Sequence, residues 1–294
     1  MSTIREVSEA LAGAVSGVEA SVVTLTRSRC GGASAVAWSK DLVVTAAHQL
    51  EREEGLELVV AGRRAAASLV GLDPASDLAV LRVEAELTPL ARSAAPPLRV
   101  GELVLAVGRP GDGVRARLGI VGRVGGEWRL PGGARFERYV ESDIAPSPGL
   151  SGGALIAASG ELVGVNSAGL LRGQLVTLAT EGVARIVDAL VAHGRVRKAH
   201  LGVAVQRVAL PRAIAARRGQ SQALIVLAVQ DGSPAAAAGL RLGDVLLALA
   251  GTRLERVEDL QVALDPDRIG QEQAVELLRS GEELKLGVVP EARS

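Results

Sequence analysis

The sequence predicts a mainly β chain in two parts: a barrel or sandwich of short strands, then a smaller α+β unit. Three observations predict it. Short β-rich runs recur between residues 22 and 180, with Gly and Pro clusters between them. The first persistent helical stripe after those runs is Val183, Ile186, Val187, Leu190 and Val191. From residue 199 to residue 292, strands and short helices then alternate.

In chain order, MSTIREVSEALAGAV reads as an amphipathic helix, with Thr3 and Glu6 spaced as a capping box. It lacks the cationic start and apolar stretch of a secretory leader, and no apolar run approaches the ~18 residues of a membrane span. The expected location is therefore cytoplasmic for the sequence as it stands, and periplasmic or otherwise extracytoplasmic if an N-terminal segment was removed. The β runs are SVVTLT, DLVVTAA, LELVVAG, DLAVLRV, LVLAVG, ELVGVNS and QLVTLA, with turns at GRPGDG, RVGGE and LPGGAR. Gly194 is placed to cap the helix that follows. RVRKAH (Arg195 to His200) is short and basic and reads as a linker, giving domains at 1–193 and 199–292 joined through 194–198. LGVAVQRV and ALIVLAVQ read as strands. Ser233-Pro234 opens a short helix that Gly239 closes. DVLLALAG is a strand, and Val257 to Leu264 a helix ending before Asp265-Pro266. EQAVELLRSGEELKLGVV doubles back at Ser280-Gly281 as a hairpin.

Composition narrows the function. The chain has 294 residues, 48% of them apolar, so it can bury a core without staples. Only 1% are aromatic: Trp38, Trp128, Phe136 and Tyr139. That disfavours stacking platforms for single-stranded nucleic acid. Thirty-three basic residues balance thirty-three acidic ones, so charge gives no case for a nucleic-acid or membrane-surface partner. Cys30 is the only cysteine, which excludes an intrachain disulfide and a cysteine-based metal site. It reads as a small buried hydrophobe. GRPGDG lacks the Lys-Ser/Thr ending of a phosphate loop. His193 and His200 stand in no catalytic motif; the one suits a helix C-terminus and the other a domain junction. Trp128 and Phe136 flank a turn, where local packing competes with a sensor-loop role.

Three motifs carry chemistry together. TAAH puts His48 at the end of a strand, ASDLAVL puts Asp77 at the start of one, and GLSGGAL puts Ser151 in a glycine-rich turn. A serine hydroxyl is a weak nucleophile at neutral pH and needs a base within hydrogen-bond reach. A neutral imidazole can accept its proton. A carboxylate on the other ring nitrogen fixes the tautomer and stabilises the imidazolium. The backbone amides of Gly149 and Ser151 are the candidate oxyanion donors. GxSxG alone is weak, and here it precedes a strand, which argues against an α/β-hydrolase elbow. The order His, Asp, Ser on a β-rich chain is that of the chymotrypsin-type double β-barrel.

Residues 1–193 resemble the trypsin-like domain of the HtrA (DegP/DegQ/DegS) family. The segments that carry the resemblance are WSKDLVVTAAHQL, DPASDLAVLRVE, LAVGRPGDG, ESDIAPSPGLSGGALI and ELVGVNSAG, in the family's order. Residues 199–290 resemble the PDZ domain that follows it, through AHLGVAV and DGSPAAAAGLRLGDVLLALAG. The resemblance implies an ATP-independent serine endopeptidase that cuts unfolded or misfolded chains, without metal or cofactor. It makes His48 the general base, Asp77 the orienting carboxylate and Ser151 the nucleophile, with Asp73 the near alternative to Asp77. It matches Ser167, Ala168 and Gly169 to the strand that pairs with substrate. It puts Ala145 where the primary pocket forms, uncharged and suited to small aliphatic side chains. Leu201, Gly202 and Val203 match the loop that binds a C-terminal carboxylate, with the peptide lying as an added strand beside Leu201–Val205.

Departures from the family pattern carry their own expectations. Leu150 replaces the usual Asn beside the nucleophile. Pro146 and Pro148 restrict the preceding loop, which is then locked in one state, either competent or collapsed. The aromatic residues that commonly anchor a homotrimer are missing from the N-terminal segment. The competing reading is an inactive or latent protease-fold scaffold that serves as a PDZ peptide-binding protein or holdase. A lipase or esterase is disfavoured by the triad order and by the absence of βαβ alternation.

Overall fold

The computed structural model describes residues 2–26, 32–92, 98–130, 133–197 and 199–292. Cys30 and Lys198 lie outside the described residues. The chain divides into two compact units, Met1–Val196 and Arg197–Ser294.

The first unit opens with helix α1 (Ser2–Val18). Thr3 lies inside this helix rather than at its cap, because the helical turn already includes Ser2. Leu11, Ala14 and Val15 turn inward to the core, while Ile4 and Val7 remain exposed. Six strands follow: β1 (Val22–Leu25), β2 (Ala33–Ala37), β3 (Leu42–Ala46), β4 (Leu56–Val60), β5 (Arg63–Asp73) and β6 (Leu78–Val83). They close into an antiparallel barrel in the order β1-β2-β3-β6-β5-β4. The second barrel comprises β7 (Leu103–Gly108), β8 (Arg115–Gly125), β11 (Tyr139–Ser142), β12 (Ala154–Ala157), β13 (Leu162–Ser167) and β14 (Val176–Ala179). Its order is β11-β14-β13-β12-β7-β8. A small hairpin, β9 (Trp128–Arg129) with β10 (Arg135–Phe136), branches off between β8 and β11.

Why β3 and β7 read as unbroken apolar runs is visible in the packing. Alternate side chains point to opposite faces of a strand. In β3, Val43 joins the interior of the first barrel with Leu58 and Leu81, while Val44 joins a second core with Val107 and Ile156 of the other barrel. Both faces are buried, so both must be apolar. Helix α2 (Thr180–His193) covers that shared core with Val183, Ile186, Val187 and Leu190. Gly194 ends it in the left-handed conformation, its N–H bonding Leu190 O at 2.8 Å. The aromatics outside the first barrel pack on one another: Trp128 meets Tyr139 edge-on at 4.9 Å and Phe136 at 5.9 Å, and its Nε1 donates to Arg138 O.

The second unit holds β15 (Ala199–His200), β16 (Val203–Ala209), α3 (Arg212–Arg218), β17 (Gln222–Val229), α4 (Pro234–Ala237), β18 (Val245–Leu249), β19 (Thr252–Arg253), α5 (Val257–Ala263), β20 (Gln273–Arg279), β21 (Glu282–Val288) and β22 (Glu291–Ala292). The main sheet runs β16-β17-β18-β20-β21, which leaves β16 on an edge. Ser233 caps α4 by accepting the Ala236 N–H. Ser280 and Gly281 take φ of 54° and 87°, the mirror-image turn that a two-residue hairpin favours.

One ion pair stands out in this unit. Asp244 is almost wholly buried and both its oxygens accept from Arg279 at 2.8 Å, one of them also from the Arg241 N–H. Burial pushes its carboxyl up, but the Arg279 guanidinium and the Arg241 N–H outweigh this and hold it below the usual carboxylate range. A depressed native pKa stabilises the fold above the unfolded value of about 4, and that stabilisation is lost as pH falls through the native one. Arg279→Met leaves a buried carboxylate without its partner, an expected loss of stability. Urea denaturation of the intact chain should show this loss at pH 7. It should also show a shallower acid dependence in the variant than in the parent protein.

Candidate active site

His48 sits in the single turn Ala47–Gln49 that closes β3. Asp77 sits immediately before β6, which pairs with β3 through Ala46 and Leu78. The pairing sets the two residues side by side. The Ala47 N–H donates to the Asp77 carbonyl at 2.9 Å, and the His48 N–H donates to Asp77 Oδ1 at 2.8 Å. His48 Nδ1 then meets Asp77 Oδ2 at 2.6 Å. Asp77 has a φ of 57°, a left-handed conformation that aspartate tolerates better than most residues. The Ser167 hydroxyl, at the end of β13, adds a short hydrogen bond to the same Oδ2. Asp73 is occupied elsewhere: it is buried and accepts from the Ala75 and Ser76 N–H groups and from the Ser76 hydroxyl, forming the turn before Asp77. Of the two aspartates, Asp77 faces the histidine.

Ser151 comes from the second barrel, in the turn that leads into β12, and is 4% exposed. Its Oγ accepts the Ala168 N–H at 3.0 Å. The Gly169 N–H donates to Ser167 Oγ, also at 3.0 Å. Residues Ser167, Ala168 and Gly169 thus link the nucleophile candidate to the His48–Asp77 pair. Gly169 lies against that pair so closely that a Cβ there would meet His48 Nδ1 at 2.5 Å and Asp77 Oδ2 at 3.0 Å.

The turn before Ser151 is tied on several sides. The Pro148 carbonyl accepts from Arg115 of β8 at 2.8 Å, and Arg117 reaches the Ser147 hydroxyl. The Leu150 N–H closes onto Ser147 O at 3.1 Å. The Gly149 carbonyl accepts from Ser34 of β2 at 2.5 Å, and Ser34 also takes the Arg109 N–H. A trans peptide sets N–H and C=O on opposite edges, so holding the Pro148 carbonyl toward Arg115 turns the Gly149 N–H the other way. Neither that N–H nor the Ser151 N–H has an acceptor among the described residues. Gly149 needs its glycine twice over: φ is 85°, and a Cβ would sit 2.4 Å from Pro110. Leu150, where the resemblance implies a polar tether, is fully buried among Val104, Leu155 and Val163. Burying a leucine stabilises by about 1.5–3 kcal/mol relative to leaving it in water, so an apolar anchor replaces the polar one.

Ala145 is exposed on the approach to this turn, beside exposed Pro146. His193 is exposed at the end of α2, and His200 pairs with Glu291 in β15–β22. Neither histidine is near Asp77 in the hydrogen-bond pattern. In the second unit, Leu201 and Gly202 precede edge strand β16, which begins at Val203. The Leu201 carbonyl accepts the Ala235 N–H and the Gly202 carbonyl accepts the Gln230 N–H. The N–H groups of Leu201 and Gly202 have no acceptor among the described residues. Gly202 has a φ of 79°, and a Cβ there would meet Ser233 at 2.2 Å.

Sequence reasoning passed over Ser34, Gln49 and Arg115. Ser34 carried a usable signal, a hydroxyl inside the apolar run ASAVA. Arg115 carried none, since its partner is a backbone carbonyl.

Two antiparallel six-stranded barrels with a His–Asp pair on one and a glycine-flanked serine on the other, followed by a sheet-and-helix unit with an open edge strand, define a trypsin-like peptidase fold joined to a PDZ domain. Comparison with known families agrees: the trypsin-like peptidase domain matches residues 33–165 and the PDZ domain residues 196–289. The chain belongs to the HtrA family of serine proteases. A probable periplasmic DegP-like serine endoprotease of Chlamydia trachomatis is 30% identical over 255 residues, 84% of this chain and 51% of that protein. Its counterpart in Marinomonas sp. is 31% identical over 259 residues, 85% of this chain and 55% of that protein. The chain therefore spans about half the length of the curated relatives it matches. Among solved structures, the HtrA-type protease AlgW with a decapeptide superposes with a TM-score of 0.76 at 26% identity, covering 97% of this chain and 99% of that one. The serine endoprotease from Yersinia pestis gives a TM-score of 0.75 at 25% identity, covering 97% and 98%.

Proposed function

We propose that this chain is an ATP-independent serine endopeptidase acting on unfolded or misfolded polypeptides. The observation that carries the reading is the His48 Nδ1 to Asp77 Oδ2 contact of 2.6 Å, linked to Ser151 through the segment Ser167–Gly169. In this mechanism Ser151 Oγ attacks the scissile carbonyl while His48 Nε2 takes the hydroxyl proton. Asp77 holds the imidazole by Nδ1 and stabilises the imidazolium that forms. The Gly149 and Ser151 N–H groups, both without an acceptor in the described chain, receive the negative charge on the former carbonyl oxygen. His48 returns its proton to the leaving amine, and water releases the acyl group by the same steps. The outward Pro148 carbonyl supports the competent form of the proline-locked turn over the collapsed one.

Substrate backbone pairs along Ser167, Ala168 and Gly169, and the pocket near uncharged Ala145 takes small aliphatic side chains. Digestion of unfolded casein tests this. Cuts should cluster after Val and Ala, and cuts predominantly after Arg or Lys would contradict it. The second unit binds C-terminal peptides through the unused N–H groups of Leu201 and Gly202, with the peptide added to the open edge of β16. Labelled peptides with an apolar last residue should bind by fluorescence anisotropy. Amidating the terminus should weaken them at least about tenfold, since a charge-assisted hydrogen bond contributes roughly 1.5–3 kcal/mol. Equal affinity for both forms would exclude this mode. A homotrimer built on α1 belongs to the same reading, because Ile4 and Val7 stand exposed there. A chain that stays monomeric in sedimentation equilibrium would remove it. An extracytoplasmic site of action follows the relatives, which are named as periplasmic, and is tested by fractionating the native host.

The competing reading is an inactive or latent scaffold that only binds peptides; the Ser151 Oγ bond to the Ala168 N–H and the Gln49 contact at His48 Nε2 favour latency, while the outward Pro148 carbonyl favours the peptidase.

A further inference from the structure

In the resting site the reactive nitrogen of His48 is already taken. The Gln49 carboxamide nitrogen lies 2.8 Å from His48 Nε2. For the neutral imidazole that a general base requires, the Asp77 contact settles the direction. Nδ1 faces a carboxylate oxygen, which can only accept, so Nδ1 carries the proton and Nε2 is the acceptor. Gln49 must then turn its NH2 toward the ring. Its Oε1 is left buried without a hydrogen-bond partner among the described residues, and the residue as a whole is 7% exposed. The turn Ala47–Gln49 fixes this placement, since the Leu50 N–H closes it onto Ala47 O at 3.0 Å. Ser151 is engaged as well, its Oγ accepting from the Ala168 N–H. Each member of the proton-transfer pair therefore holds a different partner.

A neutral imidazole offers one lone pair at Nε2. While Gln49 donates to it, the Ser151 proton has nowhere to go. We propose that Gln49 is a positioning residue that gates the general base, closing Nε2 and swinging away before Ser151 can transfer its proton. This rests on the serine-peptidase reading above. The orphaned Oε1 makes the closed arrangement one that water or an incoming chain displaces readily, because moving the carboxamide out restores hydrogen bonds to both its ends. No covalent change occurs at Gln49.

The test is the second-order rate of labelling of the intact chain by a small fluorophosphonate, with two nearly isosteric variants. Gln49→Met keeps the length of the side chain and removes its donor. It should label about three- to tenfold faster than the parent protein, the factor a single neutral hydrogen bond is worth. Gln49→Glu puts an acceptor against Nε2, which can be satisfied only by a protonated ring, and should label several-fold more slowly. A packing role for Gln49 would move both variants in the same direction, so opposite signs support the gate. If the melting temperature of Gln49→Met falls by more than about 5 °C, Gln49→Ala replaces it with the same expected sign. Labelling of Gln49→Met and Gln49→Ala at or below the parent rate overturns the gate and leaves the peptidase reading standing. No labelling of parent or variants, with no casein cleavage, overturns both.

Discussion

Ser151→Ala is expected to lower casein cleavage by about 10⁵-fold or more, to the floor of the assay, with the melting temperature unchanged. The magnitude follows from the division of labour in the site. Removing the Oγ removes the atom that forms the acyl-enzyme. The N–H groups of Gly149 and Ser151 remain but act only on a carbonyl attacked by water, a residual pathway worth roughly 10³–10⁴ over the uncatalysed reaction. Fold stability should be preserved because the hydroxyl accepts a single hydrogen bond, from the Ala168 N–H, and the site borders solvent at His48, whose side chain is 34% exposed. Quantitative gel or mass-spectrometric analysis of casein fragments measures the effect. Cleavage by the variant near the parent rate would assign the activity to another nucleophile.

Gly169→Ala is the second large effect, and its cause is steric. The backbone at 169 runs against the His48–Asp77 pair, and the new methyl would sit 2.5 Å from His48 Nδ1 and 3.0 Å from Asp77 Oδ2. Real Cβ atoms do not approach that closely, so the imidazole must rotate or the Ser167–Gly169 segment must retreat. Rotation breaks the 2.6 Å contact that fixes the tautomer. Loss of the correct tautomer alone costs about 10⁴ in turnover in a comparable triad, and we expect kcat to fall by about 10³–10⁴ in Gly169→Ala. KM should change far less than kcat if the ring is what moves. A retreating segment would instead raise KM, because that segment is where substrate backbone would pair. Steady-state kinetics on one peptide substrate separates the two. A variant with parent-like kcat and KM would show that Gly169 does not press on the pair.

How much of this was legible in the sequence depended on how each element is buried. β1, β3, β4, β6, β7, β13 and β14 coincide with the apolar runs because both faces of most of them are covered, so most of their residues are apolar. β5 and β8 gave no such run. Each is eleven residues long and mostly open to solvent along one side, with Arg63 and Arg64 in the one and Arg115, Arg117 and Arg123 in the other. β2 and β12 are short and alanine-rich, ASAVA and ALIA, and carry few β-branched residues to mark them. Helix α3 (Arg212–Arg218) has no fully buried residue, hence no apolar stripe to find. In the site, the motifs around His48, Asp77 and Ser151 were readable because the chemistry demands those residue types. The resemblance selects Asp77 over Asp73, since the family's aspartate stands directly before the apolar strand, and the β3–β6 register supplies the physical reason. The contacts of Gln49 and Arg115 depend on a ring nitrogen and a backbone carbonyl, and such partners leave no pattern along the chain.

The proposed peptidase activity depends most directly on the identity of the nucleophile. Treating the intact chain with a fluorophosphonate and mapping the adduct by tandem mass spectrometry should place a single phosphonyl group on Ser151, and His48→Ala should abolish it. An adduct on another residue, or labelling that persists without His48, would contradict the assignment of this site.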